Sequence, residues 1–169
     1  MLRFLFPRLT AQPVRGAELF AAVTHEARLP HWYVEGGVAD SLDGRFAVLA
    51  TITALVLVRL EDGGDEAHAA SVALTERFVD IMEAEHRELG LGDPGLGRKV
   101  RKLVSSLGRR IELWRAAVAG GDFSDAARQS LGDDEATDGA TAHNSTALKA
   151  LWLRLQGQAV AGLAQGRLG

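Results

Sequence analysis

Two short patterns in this chain hold residue types that do chemistry. Glu83-x-x-His86 sets a carboxylate and an imidazole on one helix face, the spacing with which helical bundles hold a di-iron centre. Such a centre needs a second pair and two further carboxylates, and the sequence offers one pair. His86 also falls on the apolar stripe of its segment, the place of a core or boundary histidine. Gly90-x-Gly92-x-x-Gly95 matches the dinucleotide fingerprint in form. That mechanism needs a strand ahead of the glycines, so that a tight turn delivers phosphate to a helix N-terminus. Here a helical pattern precedes them and Pro94 sits inside, so the segment reads as a connector. His25, His31, His68 and His143 are scattered without zinc spacing. The absence of Cys excludes a thiol enzyme, a disulfide scaffold, a Cys-ligated zinc site and an iron–sulfur protein. There is no Gly-x-Ser-x-Gly elbow and no Walker loop. Asn144-Ser145-Thr146 is a glycosylation triplet, with little meaning in a chain lacking an export signal. No catalytic residue, cofactor or metal is assigned, and the chain is not read as an enzyme.

Charge carries more information. Between Arg98 and Arg115 there are seven basic residues, and Glu112 is the only acid, so this segment is +6 and the remainder −9. Arg98, Lys99, Arg101, Lys102, Arg109 and Arg110 form the candidate basic face. It reads either as a solvated helix side whose stems shield the core, or as a docking surface for something anionic, such as a ribosome, a lipid surface or an acidic partner. The overall charge of −3 argues against a free DNA binder.

These residues must be positioned by helices. With 169 residues, 47% of them hydrophobic, the chain supports one domain with a core that needs no metal. The pattern predicts an all-α fold, a single compact domain of about five to six helices: an arm over 1–12, a helical domain over 13–156 and a tail over 157–169. Pro13 can start the first helix, marked by Phe20, Val23 and Ala27 and ended by Leu29-Pro30. His31 to Ala39, with Trp32, Tyr33 and two adjacent glycines, reads as an ordered loop. Ser41 or Asp40 caps a second helix over 42–60 that is apolar on almost every side, as befits the middle of a domain; its β-branched content leaves a strand open. A third helix runs from the 61–66 turn to Leu89, closed by Gly90. A glycine-rich connection through Gly97 follows. The fourth helix has Leu96, Val100, Leu103, Leu107, Ile111, Trp114 and Val118 on one face. Asp122 caps a short helix to Leu131, an acidic stretch over 132–143 reads as a loop, and a last helix begins near Asn144 or Ser145. From Gly157 onward four glycines predict fraying.

The longest uncharged apolar stretch, Phe46 to Val58, is 13 residues against the ~20 of a spanning helix, so a cytoplasmic protein is expected, peripheral at most to the inner face of the membrane. The opening segment reads as an arm packed on the domain, or as a membrane-surface contact through Leu2, Phe4, Leu5 and Phe6.

Ala27-Arg28-Leu29-Pro30-His31-Trp32-Tyr33 and Gly37-Val38-Ala39-Asp40-Ser41-Leu42-Asp43-Gly44-Arg45-Phe46 resemble the ubiquinol–cytochrome c chaperone family. The likeness continues at Val58-Arg59-Leu60, at Gly90 to Asp93, through Arg98-Lys99-Val100-Arg101-Lys102, and at Gly108-Arg109. The chain departs from the family at Ala39 (commonly Pro), around Thr51 to Thr53 (commonly a His) and at Ser106-Leu107 (often an aromatic pair). The resemblance implies a non-enzymatic assembly factor. Such a protein holds newly made or newly inserted cytochrome b during biogenesis of the bc1 complex, near the ribosome or membrane and with a small partner assembly protein. The residues for client or partner contact are then Arg28, Trp32, Tyr33, Asp40, Arg45 and Phe46, the aromatics among them being core residues on the other reading. Arg45 is placed to pair with Asp40 or Asp43. Two alternatives stand beside the chaperone: a helical ligand-binding protein or small enzyme with a pocket near His86, and a generic ribosome or membrane-surface adaptor.

Overall fold

One helix is wrapped by the others, and it is the one whose sequence is apolar all round. The computed structural model of the chain describes residues 16–88, 93–132 and 136–169, less the side chains of 85–88, 93, 94 and 96. Its elements are α1 (Ala17–Ala27), a single 3-10 turn (Pro30–Trp32), α2 (Leu42–Leu60), α3 (Gly64–Glu88), α4 (Asp93–Val118), α5 (Phe123–Leu131), α6 (Asp138–Gln156) and α7 (Val160–Ala164). The fold is all-α, with no strand among the described residues. α2 packs against α1, α3, α4, α5 and α6. Nearly all of it from Ala47 to Leu60 is buried, which settles the helix-or-strand alternative as helix. Ser41 starts it, its Oγ accepting from the Gly44 N–H at 3.1 Å, with Asp43 in the first turn.

A helix buried on every side must satisfy its own polar side chains. Thr53 donates to the Leu49 carbonyl at 2.8 Å and Thr51 to the Ala47 carbonyl at 2.7 Å. Thr51 also anchors a buried chain across the bundle. The Trp114 ring N–H donates to Ser130 Oγ at 3.0 Å, and Ser130 Oγ lies 2.6 Å from Thr51 Oγ1. With the Thr51 hydroxyl committed to Ala47, the Ser130 hydroxyl donates to Thr51. Three helices (α2, α4 and α5) are thus keyed to one another inside an apolar core.

Three boundaries differ from the sequence expectation. α4 is already helical from Asp93, so Gly95 and Gly97 lie inside it and not in a connector. Pro94 sits in the first turn, where the missing N–H costs nothing. α6 begins at Asp138, well before Asn144, because Thr137 is the cap: its Oγ1 accepts from the Ala140 N–H at 3.2 Å. Asn144 is instead a buried residue in mid-helix. The C-terminal stretch is ordered against the bundle. α7 buries Leu163, and Leu168 follows it into the core. Arg59 donates to the Leu155 and Gln158 carbonyls at 3.1 and 2.9 Å, closing the end of α6. By contrast Asp122 caps α5 as expected, its Oδ1 accepting from Ser124 and Asp125 N–H. The readings of residues 1–15, including Pro13, of the closing Gly90 and of the Leu96 side chain fall outside the described residues.

Candidate functional site

The loop between α1 and α2 is fixed by its own aromatics. Trp32 is fully buried, and its ring N–H donates to the Glu26 carbonyl at 2.9 Å. Tyr33 lies half-buried beside it, its hydroxyl donating to the Ala27 carbonyl at 2.8 Å. Both serve carbonyls at the C-terminus of α1, where the helix supplies no partners. Burial is the main cause that pushes the Tyr33 phenol above its ordinary pKa. Trp32 is therefore corrected from a contact residue to a core residue: no part of its ring is available to a partner. Two further ties hold the loop to α6. Asn144 Nδ2 donates to the Gly36 carbonyl at 2.8 Å, and His31 Nδ1 lies 3.1 Å from His143 Nε2. Residue 36 must be Gly, because a Cβ there would collide with the Asn144 side chain and the Trp32 carbonyl. Below the loop Glu26 pairs with Arg154 at 2.7 Å, bringing the start of the loop to the last turn of α6.

The fixed loop forms one wall of a groove of about 810 Å³. α1 contributes Phe20 and Thr24, α2 contributes Leu42, Arg45, Phe46 and Leu49, and α3 contributes Ile81 and Met82. Five of the six residues singled out from the sequence, Arg28, Tyr33, Asp40, Arg45 and Phe46, line it; Trp32 braces the wall from behind. The lining is mostly apolar with a charged rim. Arg45 Nε donates to Asp40 Oδ1 at 2.6 Å, which lowers the carboxyl pKa and raises that of the guanidinium. Of the two partners expected for Arg45, the structure selects Asp40. Gly44 sits under this pair, and a Cβ there would run into the Ala39 carbonyl. Two large apolar side chains stand open at the rim, Val34 at 75% and Leu42 at 57% exposure. Sequence reasoning passed over both. Their signal was available: a lone valine between Tyr33 and Glu35, and a leucine directly after a helix cap, where solvent-facing polar residues are the rule.

The basic run divides. Arg98, Lys99, Arg101, Lys102 and Arg109 are exposed on α4, and among the described residues none of them is in an ion pair. Arg110 is corrected: it leaves this face and turns inward, its guanidinium 5.8 Å from the Phe46 ring centroid and Nη1 2.5 Å from Ser106 Oγ. Arg115 is also spoken for, held by Glu61 and Glu112 at 2.5 and 2.6 Å. Glu83 is half-buried on α3, and the His86 side chain lies outside the described residues. Among the described residues no cluster of three His, Asp or Glu is placed to hold a metal ion, and no helix is long and apolar enough to cross a membrane.

The structure thus sets a groove with a mostly apolar lining and a charged rim apart from a basic helix face on α4. Residues 34–133, which carry the Arg45–Phe46 start of α2 and all of the basic run, match the family model described as ubiquinol-cytochrome C chaperone. The chain belongs to the ubiquinol–cytochrome c chaperone family. The match spans α2 to α5 and leaves α1, the Arg28-to-Tyr33 part of the loop, and α6 outside it. The fold is also that of the crystal structure of the Cbp3 homolog from Brucella abortus. The two chains are 24% identical, with a TM-score of 0.76 over 98% of this chain and 94% of the other. No curated protein matches the chain. Against the Brucella abortus protein the likeness runs through α1, α6 and α7 as well, so the elements that complete the groove belong to the shared fold.

Proposed function

We propose that this chaperone acts without catalysis in the assembly of ubiquinol–cytochrome c reductase, by holding a segment of newly made cytochrome b in the groove between α1, α2, α3 and the 28–40 loop. The observation that carries the reading is the pair of open apolar residues, Val34 and Leu42, on the rim of a mostly apolar groove. Water-exposed side chains of this size beside an apolar floor gain free energy when a client segment covers them. A membrane protein emerging from the ribosome presents such segments in abundance. The charged rim suits the short polar turns between them.

The test is complementation. A strain lacking the gene should lose bc1 complex while its soluble metabolism continues, and the wild-type gene should restore it. Val34→Asp/Leu42→Asp should accumulate as folded protein, both sites being exposed, yet fail to restore cytochrome b. Full restoration by that variant would remove the groove from the account, and normal cytochrome b in the deletant would remove the function.

The five exposed cations of α4 support a second contact, with an anionic surface such as the ribosome. They are unpaired among the described residues and gathered on one helix side of an otherwise acidic chain. On this reading the helix docks the chaperone where its client is made, while the groove does the holding.

A further inference from the structure

The backbone of the groove walls limits the conformation of what the groove can hold. On α2 the lining residues Leu42, Arg45, Phe46 and Leu49 follow the i, i+3, i+4, i+7 spacing of one helix face, and on α1 Phe20, Thr24 and Ala27 follow i, i+4, i+7. Each of these walls is about two helical turns long, roughly 10 Å at the ~1.5 Å rise of each residue. Apart from that of Leu42, which opens α2, the N–H groups of these residues are spent on the preceding turn. The loop wall offers little more. Pro30 has no N–H, Tyr33 and Val34 both donate to the Pro30 carbonyl at 3.0 Å, and the Ala27 carbonyl takes the Tyr33 hydroxyl.

An extended client strand would carry its own N–H and C=O groups into this mostly apolar space, where they would go largely unpaired. A helical client satisfies those groups internally and presents only side chains to the walls. Charge narrows the choice further. Arg28 lines the groove, is exposed, and makes no ion pair among the described residues. Arg45, the other cation of the lining, is neutralised by Asp40. The groove therefore offers one uncompensated positive charge, open to an arriving side chain, and its complement is a carboxylate.

Resting on the groove as the client site, we infer that it holds the client as a helix of about two turns, apolar on its inward face and carrying a carboxylate within reach of Arg28. The helix walls select the conformation, and Arg28 selects among apolar helices.

The test uses the full chain and three short fluorescent peptides. The first is a helix of Ala and Gln with Leu at i, i+3, i+4 and i+7 and one Glu beside that stripe. The second has Gln in place of the Glu, which leaves the helix propensity nearly the same. The third has Pro in place of a central Ala on the face opposite the leucines. Wild type should hold the third about a hundredfold more weakly than the first, the roughly 3 kcal/mol that Pro costs inside a helix. It should hold the second about threefold more weakly, as for one exposed ion pair. In Arg28→Gln, a change at an exposed site, the first two peptides should bind alike while the penalty for the third remains. Equal binding of the first and third by wild type, or a Glu preference that is absent from wild type or survives in Arg28→Gln, overturns the inference and leaves the groove reading intact. Failure of wild type to bind any of the three overturns both, and a dimer that Val34→Asp/Leu42→Asp dissociates would then seat a second copy of the chain in the groove.

Discussion

Replacing Trp32 by Ala separates two accounts of the aromatic loop. The structure makes Trp32 a core residue: its ring is fully buried and packs with the α1 and α2 core, and its N–H serves the Glu26 carbonyl. Deleting a buried ring of this kind costs about 3–5 kcal/mol. The hydrogen bond adds little of its own, because Glu26 O also accepts from the Leu29 N–H at 3.2 Å and so keeps a partner. For a chain of this length, each kcal/mol lowers the melting temperature by about 2–4 °C. Trp32→Ala should therefore melt roughly 6–20 °C below wild type. Trp32→Phe, which keeps one six-membered ring but loses the donor and part of the packed volume, should cost about 1–2 kcal/mol. Thermal unfolding followed by far-UV circular dichroism reads both. If Trp32→Ala melts with wild type while peptide or client binding disappears, the residue is an open anchor and the core assignment is wrong.

Other outcomes follow from the same packing. Ser130→Ala removes the link between the Trp114 N–H and Thr51, leaving a buried donor without an acceptor. It should cost about 1–3 kcal/mol in urea unfolding, whereas Ser124→Ala at the α5 start should cost under about 1 kcal/mol. The His31–His143 contact makes stability depend on pH. His31 is held below its ordinary 6.5 by burial first and by His143 second, with Arg154 adding and Glu26 and Glu35 opposing. The unfolded chain thus binds the proton more readily, so this contribution is complete above 6.5 and is lost as the pH falls below it. Melting temperature should fall as the pH is lowered from neutrality through 6.5, less steeply in His143→Gln and least in His31→Gln; parallel curves for all three would refute the coupling. Exchanging Arg98, Lys99, Arg101 and Lys102 for Glu should abolish salt-sensitive cosedimentation with ribosomes while leaving the melting temperature nearly unchanged, since all four are exposed. Unaltered cosedimentation would dismiss the electrostatic contact.

The sequence made the architecture legible where one signal dominated. α2 announced itself by apolarity on all sides between a serine cap and the charged Glu61-Asp62 turn, and its bounds were read correctly. Asp122 did the same for α5. The misreadings have local causes. In α6 the glycine and threonines at 139, 141 and 137 looked like loop composition, and the cap at Thr137 was overlooked because Asn144 offered a stronger-looking one. At the C-terminus glycine content argued for fraying, but Leu163 and Leu168 supply burial that outweighs it. For the groove, residue type picked out a loop that lines it and could not say which aromatic faced inward: Trp32 and Tyr33 are neighbours with different fates. Arg110 was grouped with its basic neighbours by adjacency, although one step along a helix turns a side chain by about 100°. Angle alone does not separate it, however: Lys99, eleven residues earlier and nearly in line with it, is exposed, so what turns Arg110 inward is its place along α4 beside Phe46.

The most direct measurement of the central claim is site-specific photocrosslinking in cells that are making cytochrome b. A crosslinking side chain at Val34, on the groove rim, should yield an adduct with cytochrome b. The same probe at Leu153, 60% exposed on α6 but away from the groove, should yield none. An adduct at both positions, or at neither, would contradict the assignment of this groove as the place where the client is held.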